Sequence, residues 1–349
     1  MGINYNPRTV TDGLVLALDA ANIRSYPGTS TELITNGTFD SNVTGWTTSN
    51  STNTWSSGKM QITRSGGDGR VSYQTFTTII GQSYRVTAEV NSSGSRGDIY
   101  IYDGSGVGGT RVLNIFGTNG QTLTLTGTFT AISTTTTLGF GVDNNGTSIV
   151  VDNVSVSPLW TDLSGRGNNG TLTNGPTYNS ANGGSIVFDG VDDKVTFPNN
   201  TISTSSGMTV EVWFKTSSGT KYQDIFDLDD AYGVWIVTNF SASGKINASF
   251  NTVSGYMTAD YVANNWYQVV LSGSGTSNFM YLNGVQVATA SQTVASSINL
   301  NTARIGNVDG DRASEYLVGN VSCLKLYNRA LSAAEISQNF NALRGRFGI

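Results

Sequence analysis

The chain of 349 residues contains no histidine, one cysteine and five prolines. Without histidine there is no Ser-His-Asp or Cys-His triad, no imidazole metal ligand and no histidine pH switch. The lone Cys323 can make neither an internal disulfide nor a zinc cluster. It sits in the alternating apolar segment 318–327 and reads as a small buried hydrophobe. Charged residues make up only 12% of the chain, 19 basic against 24 acidic. A net charge of −5 lacks the basic stripe that a nucleic-acid binder needs. No apolar run approaches the roughly 18 residues of a membrane span, so membrane insertion is not expected. Residues 1–8 lack the apolar core of a secretory signal. Together with the next four they read as an arm that orders on assembly.

What fills the gap is glycine, 42 residues of it, with serine, threonine and asparagine. These residues disfavour long helices and suit short strands joined by many turns. Period-2 alternation recurs along the chain, as in Met208-Thr209-Val210-Glu211-Val212-Trp213-Phe214. There Met208, Val210, Val212 and Phe214 share one face, with Glu211, Trp213 and Lys215 on the other. Asn283-Gly284, between Phe279-Met280-Tyr281-Leu282 and Val285-Gln286-Val287-Ala288, predicts a type I′ hairpin. The fold class is therefore all-β, antiparallel sandwiches, with one short C-terminal helix. That helix is announced by a capping box from Ser332 to Glu335, a staple of Leu331 with Ile336, and an apolar stripe Ile336, Phe340, Leu343. Trp213, Trp235 and Trp266 fall in strands and read as core or half-buried sheet residues rather than ligands.

Two stretches look like beginnings, 12–18 and 33–40, and 149–156 looks like a closing strand. If the strands at 33–40 and 149–156 pair antiparallel, the ends of the intervening segment lie side by side, which lets one domain sit in a loop of another. The expected organisation is a discontinuous outer domain, 1–31 with 159–349, carrying an insert at 32–158.

The outer segments resemble the concanavalin A-like sandwiches of the laminin G-like family. The residues that carry this include Gly13 to Ala20, Trp160-Thr161-Asp162-Leu163-Ser164-Gly165, Ile186 to Asp193, Asn265-Trp266-Tyr267 and Leu326-Tyr327-Asn328-Arg329-Ala330-Leu331-Ser332. The insert resembles jelly-roll carbohydrate-binding modules of the family 4/9, galactose-binding-like kind. Its carriers are Leu33 to Asp40, Gly45-Trp46, Gly81 to Val90 and Val151 to Val156. The two together look like virion proteins of tailed bacteriophages.

These resemblances set the site expectations. Sugar sites of such modules stack aromatic faces on pyranose C–H groups. In Asp98-Ile99-Tyr100-Ile101-Tyr102-Asp103, alternation puts Asp98, Tyr100 and Tyr102 on one face, and Trp46, Trp55 and Tyr73 would complete a platform. The plainer reading has Trp46 sealing the core and the tyrosines covering an exposed face. For calcium, which takes hard oxygen ligands, the jelly-roll relatives imply Asn36, Asp40 and Asp152. The laminin G-like relatives imply a rim site, for which Asp229, Asp309 and Asp311 are the candidates. Solvated acidic loops are the simpler reading of the rim residues. Arg96-Gly97-Asp98 spells an integrin-type tripeptide and reads as chance.

Concanavalin A-like glycosidases carry a Glu-x-Asp-x-x-Glu strand, with carboxylates about 5–9 Å apart across one sugar bond. Here Glu32, Glu89, Glu211, Glu315 and Glu335 are scattered and none has Asp two residues later. The expectation is a non-enzymatic virion surface protein, a capsid decoration or tail-fibre component, that binds cell-surface glycans. Its partners would be other virion proteins, further copies of itself and glycans, and it would be assembled in the host cytoplasm. A virion cement protein without sugar binding, and an extracellular bacterial adhesin, are the alternatives.

Overall fold

A computed structural model describes residues 8–28, 32–67, 70–228, 233–250, 255–308 and 312–349, with residues 70 and 71 as backbone only. The chain divides into two compact units, Met1–Thr29 with Trp160–Ile349, and Ser30–Leu159. Within the second unit the two ends run together. Leu33 N donates to Val156 O, and Val154 N to Gly37 O, both at 2.9 Å.

The first unit is built on an eight-stranded antiparallel sheet. It runs Thr177–Asn179, Ser185–Asp189, Val318–Tyr327, Met208–Thr216, Tyr267–Ser274, Ser277–Leu282 and Val285–Ala290, with Leu14–Asp19 also paired to Val318–Tyr327. The facing sheet runs Met257–Asp260, Lys245–Ser249, Val234–Thr238, Gln223–Leu228, Ala303–Ile305, Lys194–Thr196 and Gly170–Thr173. Alternation decides what lies between them. Met208, Val210, Val212 and Phe214 point inward from the first sheet, with Leu16 and Leu324. They meet Phe226, Ile236, Ile246 and Ile305 from the second in one buried cluster. This is a concanavalin A-like sandwich. Asn283 and Gly284 both take positive φ, 50° and 78°, and close the Ser277–Leu282/Val285–Ala290 hairpin, as the Asn-Gly pair predicts.

The C-terminal helix, Ala333–Phe347, covers the outer face of the eight-stranded sheet. Both halves of its capping box form, and Gly348 ends it in the left-handed conformation. The Arg329 guanidinium beside Glu335, and the cap bonds of Ser332, hold the Glu335 carboxyl down to about 2. Phe347 and Phe340 stack on Trp213 at ring-centroid distances of 4.5 and 5.8 Å. So Trp213 and Cys323 are buried from the outside as well as from within. Residues 8–12 are not a free arm. Val10 N donates to Asn339 Oδ1 at 2.7 Å, and Gln338 donates to Arg8 O at 2.6 Å. Residues 1–7 lie outside the described part of the chain.

The second unit has a five-stranded sheet ordered Thr47–Thr48, Arg70–Thr77, Thr135–Val142, Gly97–Asp103 and Arg111–Phe116. It packs on the strands Ser51–Ser56, Lys59–Arg64, Ser148–Trp160, Ser83–Asn91 and Thr122–Thr130. Ile99, Ile101, Leu138 and Phe140 from the first sheet meet Met60, Val86, Val90 and Val151 from the second.

Candidate functional site

On the second unit, alternation puts Ile99 and Ile101 in the core and Asp98, Tyr100 and Tyr102 on the outer face. What covers that face corrects the expected platform. Tyr102 is only 1% exposed. The loop after it folds back over the sheet: Thr137 Oγ1 donates to Gly104 O and accepts from Gly106 N, and Val107 sits over Gly139. Asp98 is buried and fully committed, to Arg96 at 3.1 Å, to the Tyr100 hydroxyl at 3.0 Å and to Gly117 N at 3.2 Å. An Arg96–Asp98 pair of this kind is no exposed integrin-type signal.

Trp46 is core, packed between Phe39 and Phe140 at 5.8 and 5.6 Å. Trp55 is 46% exposed on the other sheet, its Nε1 donating to Phe39 O at 2.6 Å. Tyr73 and Tyr100 remain, both half-buried, on either side of Gly139 in register. Gly141 is required beside them, because a side chain there would meet the Tyr100 ring at 2.5 Å. Arg111 lies 5.5 Å from the Tyr100 ring centre. Burial, and then the Asp98 charge, push the Tyr100 hydroxyl up to about 12.

Of the calcium candidates, Asn36, Asp40 and Asp152 fall among the described residues, and each has other partners. Asp152 faces the Lys59 ammonium at 3.2 Å, and Lys59 also bonds Glu89 at 2.6 Å. A lysine thus takes the place of a cation. The Asn36 amide donates to Asn42 O and Thr44 O, closing its own loop, and Asp40 is exposed beside Thr38. Asp229, Asp309 and Asp311 lie outside the described residues. Among the described residues, Asp189, Asp192 and Asp193 do come together, with carboxylate oxygens within 4.8 Å of one another. Burial beside the other two pushes the Asp193 carboxyl up to about 6.

The aromatic pocket is on the first unit, where composition and alternation did not point. Asp227 and Trp235 are directly paired across Gln223–Leu228 and Val234–Thr238, so both project from the same face. Their neighbours Phe226 and Ile236 enter the core, which leaves that face outermost. Asn239 adopts φ 60°, a conformation asparagine tolerates. Its amide donates to Lys221 O and to the Tyr261 hydroxyl, both at 2.7 Å. That pins the turn carrying Phe240 against the segment carrying Tyr222. Phe240 then lies 5.8 Å from Tyr222 and 5.7 Å from Trp235, and Tyr256 meets it edge-on at 5.4 Å.

The result is a cavity of about 180 Å³ lined by Tyr222, Asp227, Gly233, Trp235, Phe240, Val308 and Arg312. Pockets for drug-sized ligands run to about 300–1,000 Å³, so this one is sized for a single ring of a larger ligand. Beside it lie Asp224 and Glu315, both buried, with Arg312 3.4 Å from Glu315. Burial, and then the charges of Asp227 and Glu315, push the Asp224 carboxyl up to about 9. The same surroundings raise the Tyr222 hydroxyl above its ordinary range, burial first. The one sequence signal for this site was the run Tyr222-Gln223-Asp224-Ile225-Phe226-Asp227, acidic and aromatic in alternation.

The first unit, which holds this pocket, has the concanavalin A-like sandwich fold. Residues 189–337, which hold the whole pocket, match the family model described as the concanavalin A-like lectin/glucanases superfamily. Among solved structures, the chain is similar to the binding domain of Paraclostridial Mosquitocidal Protein 1, at 18% identity and a TM-score of 0.43 over 52% of this chain and 49% of that one. It is similar to the botulinum neurotoxin serotype G binding domain at 13% identity and TM-score 0.41, over 52% and 47%. Domain 4 of AbnA, a GH43 extracellular arabinanase from Geobacillus stearothermophilus solved with arabinotriose, matches at 16% identity and TM-score 0.42, over 51% and 91%. The chain thus spans about half the length of the two toxin domains. No curated protein matches it.

Proposed function

We propose that this protein is a non-enzymatic glycan-binding protein that uses the Tyr222–Trp235–Phe240 pocket to hold one sugar ring of a cell-surface glycan. The observation that carries the proposal is the pocket's composition: three aromatic rings, a carboxylate and a guanidinium around a cavity of one-ring size. Ring faces stack on pyranose C–H groups, while Asp227 and Arg312 fix hydroxyls. A lack of catalysis fits the glutamates, each of which is engaged. Glu211 pairs with Lys325, Glu89 with Lys59, Glu315 with Arg312 and Glu335 with Arg329. Glu32 accepts from Ile34 N and Val156 N.

A single-ring site binds weakly, and display in many copies supplies avidity. Placement on a bacteriophage virion rests on the sequence resemblance, and mass spectrometry of purified particles tests it. For binding itself the test is a glycan array with the full chain, its Trp235→Ala variant and its Tyr100→Ala variant. Trp235→Ala is expected to reduce binding more than tenfold and Tyr100→Ala less than threefold. Loss of binding with Tyr100→Ala alone would move the site to the second unit. No glycan bound by the wild type would leave a purely structural protein.

A further inference from the structure

We infer that the first unit holds a second glycan site, built around Arg166, and that it takes a sugar bearing a carboxylate, a uronic or sialic acid. The choice of a glycan as ligand rests on the reading above, whereas the site itself does not. It is a cavity of about 230 Å³ that shares no lining residue with the Trp235 pocket. Val15 and Ile202 supply its apolar part, and Arg166, Asn200, Thr201 and Asn328 line the rest. Like the first, it is sized for one ring of a larger ligand.

The loop that carries Arg166 is fixed without that side chain. Asp162 Oδ1 accepts from Ala17 N and Ser164 N at 2.8 and 2.9 Å, and Oδ2 from Ser164 Oγ and Asn168 N at 2.8 and 3.1 Å. Asn168, 1% exposed, donates to Val15 O and accepts from Asn200 Nδ2, both at 2.7 Å. Gly165 and Gly167 take φ 78° and 76°, and a side chain on either would meet nothing within 4 Å. Glycine is therefore needed for the turn and not for space. Arg166 gives this framework only its backbone N–H, which donates to Ser164 Oγ at 3.3 Å. Its guanidinium has no acceptor among the described residues. Asp162, the acid on the same loop, already has both oxygens filled, and Arg329, next to Asn328, is paired with Asp12 and Glu335.

A guanidinium presents its N–H donors in one plane, a fork that matches the two oxygens of a carboxylate. The Asn328 amide, the Thr201 hydroxyl and Asn200 Oδ1 also have no partner among the described residues, and they suit the hydroxyls of the same sugar ring. No aromatic side chain lines this cavity, so a neutral hexose finds no ring to stack on and no charge to meet. An amino sugar would set its ammonium against the guanidinium. The carboxylate is the substituent that uses what the cavity offers.

Titration calorimetry with the full chain tests this, using trimers of α1,4-linked galacturonic acid and of α2,8-linked sialic acid against their methyl esters. At least one acid form should bind tenfold or more tightly than its ester, and raising salt from 50 to 500 mM should narrow that ratio. Arg166→Gln should cut the ratio to below threefold. Arg166→Lys, which keeps the charge and loses the fork, should leave it between the two. Both variants should melt with the wild type, since the side chain they replace bonds nothing in the fold. Esters bound as tightly as acids overturn the inference. So does a ratio kept by Arg166→Gln and lost in Trp235→Ala, which would put the acid in the other pocket. A polyglutamate peptide bound as tightly as the acid trimers overturns the choice of a sugar. Absence of binding by all four trimers, with other glycans bound on the array, overturns this inference and leaves the glycan reading intact. Array binding untouched by Trp235→Ala, with an acid preference that Arg166→Gln removes, overturns the first pocket and upholds this one.

Discussion

The two outer faces of the first unit's sandwich each bury charge, and they treat it differently. Behind the eight-stranded sheet, Glu211 is wholly buried, and its oxygens accept four bonds. Lys325 Nζ lies at 2.9 Å, Trp213 Nε1 at 3.0 Å, Gln268 Nε2 at 3.1 Å and Asn339 Nδ2 at 2.7 Å. Burial alone would raise the Glu211 carboxyl, but Lys325 and these bonds outweigh it and hold it below its ordinary value. The helix Ala333–Phe347 then closes over the network, contributing Asn339 to it. On the opposite face Asp224, Asp227 and Glu315 gather beside a cavity, and the Asp224 carboxyl is pushed up instead. A buried charge matched on every side stays ionised, whereas burial among other carboxylates keeps the Asp224 carboxyl protonated at neutral pH.

The largest effect is expected at Lys325. Lys325→Met leaves Glu211 buried without its counter-charge, and unfolding free energy is expected to fall by about 3–5 kcal/mol. The pH response should reverse as well. In the wild type the depressed carboxyl contributes stability above its unfolded value, and acidification removes it. In the variant acidification protonates the stranded carboxyl and restores stability. Chemical denaturation at pH 4.5 and pH 8 measures both, and a loss below about 1 kcal/mol would make the two faces alike.

Asp224→Asn should act in the opposite direction. A carboxyl whose folded value is raised to about 9 stabilises fully only below its unfolded value, and that contribution drains away as pH rises towards 9. The amide keeps a donor for Glu315 and cannot ionise. The variant should therefore lose the pH slope and gain on the order of 1–2 kcal/mol over wild type at pH 8. Thermal melts from pH 5 to pH 9 check this, and parallel curves would show that Asp224 is not under strain.

The smallest effect belongs to the lid of the matched face. Ser332→Ala removes one half of the capping box and should cost about 1 kcal/mol. Hydrogen exchange at the Asn339 and Phe340 amides should rise, while ligand affinity at the opposite face stays unchanged. A change in affinity would mean that the two faces are coupled through the core.

Much of the architecture is legible in local pattern. Met208, Val210, Val212 and Phe214 enter the core as their alternation requires, the Asn283-Gly284 turn closes its hairpin, and the helix starts at Ser332 and buries Ile336. The sites were legible only to the level of a face. Alternation correctly sets Tyr102 opposite Ile101, but not that the loop carrying Gly106 and Val107 returns to cover it. It sets Glu211 opposite Val210, but not that a helix more than a hundred residues later seals it in. Trp235 reads as a sheet tryptophan, which it is. Its part in a pocket depends on Asn239 holding Phe240 against Tyr222.

Composition and periodicity by themselves determined an all-β chain without histidine chemistry, its strands, its hairpin and its helix cap, because these depend on neighbours two to four residues apart. Which of the outward faces became a sealed ion pair, a loop-covered sheet or an open acidic pocket was decided only in three dimensions. Those outcomes depend on contacts between residues distant in sequence, such as Lys325 with Glu211 and Arg312 with the rings around Trp235, and no local pattern encodes the path of the chain that joins them.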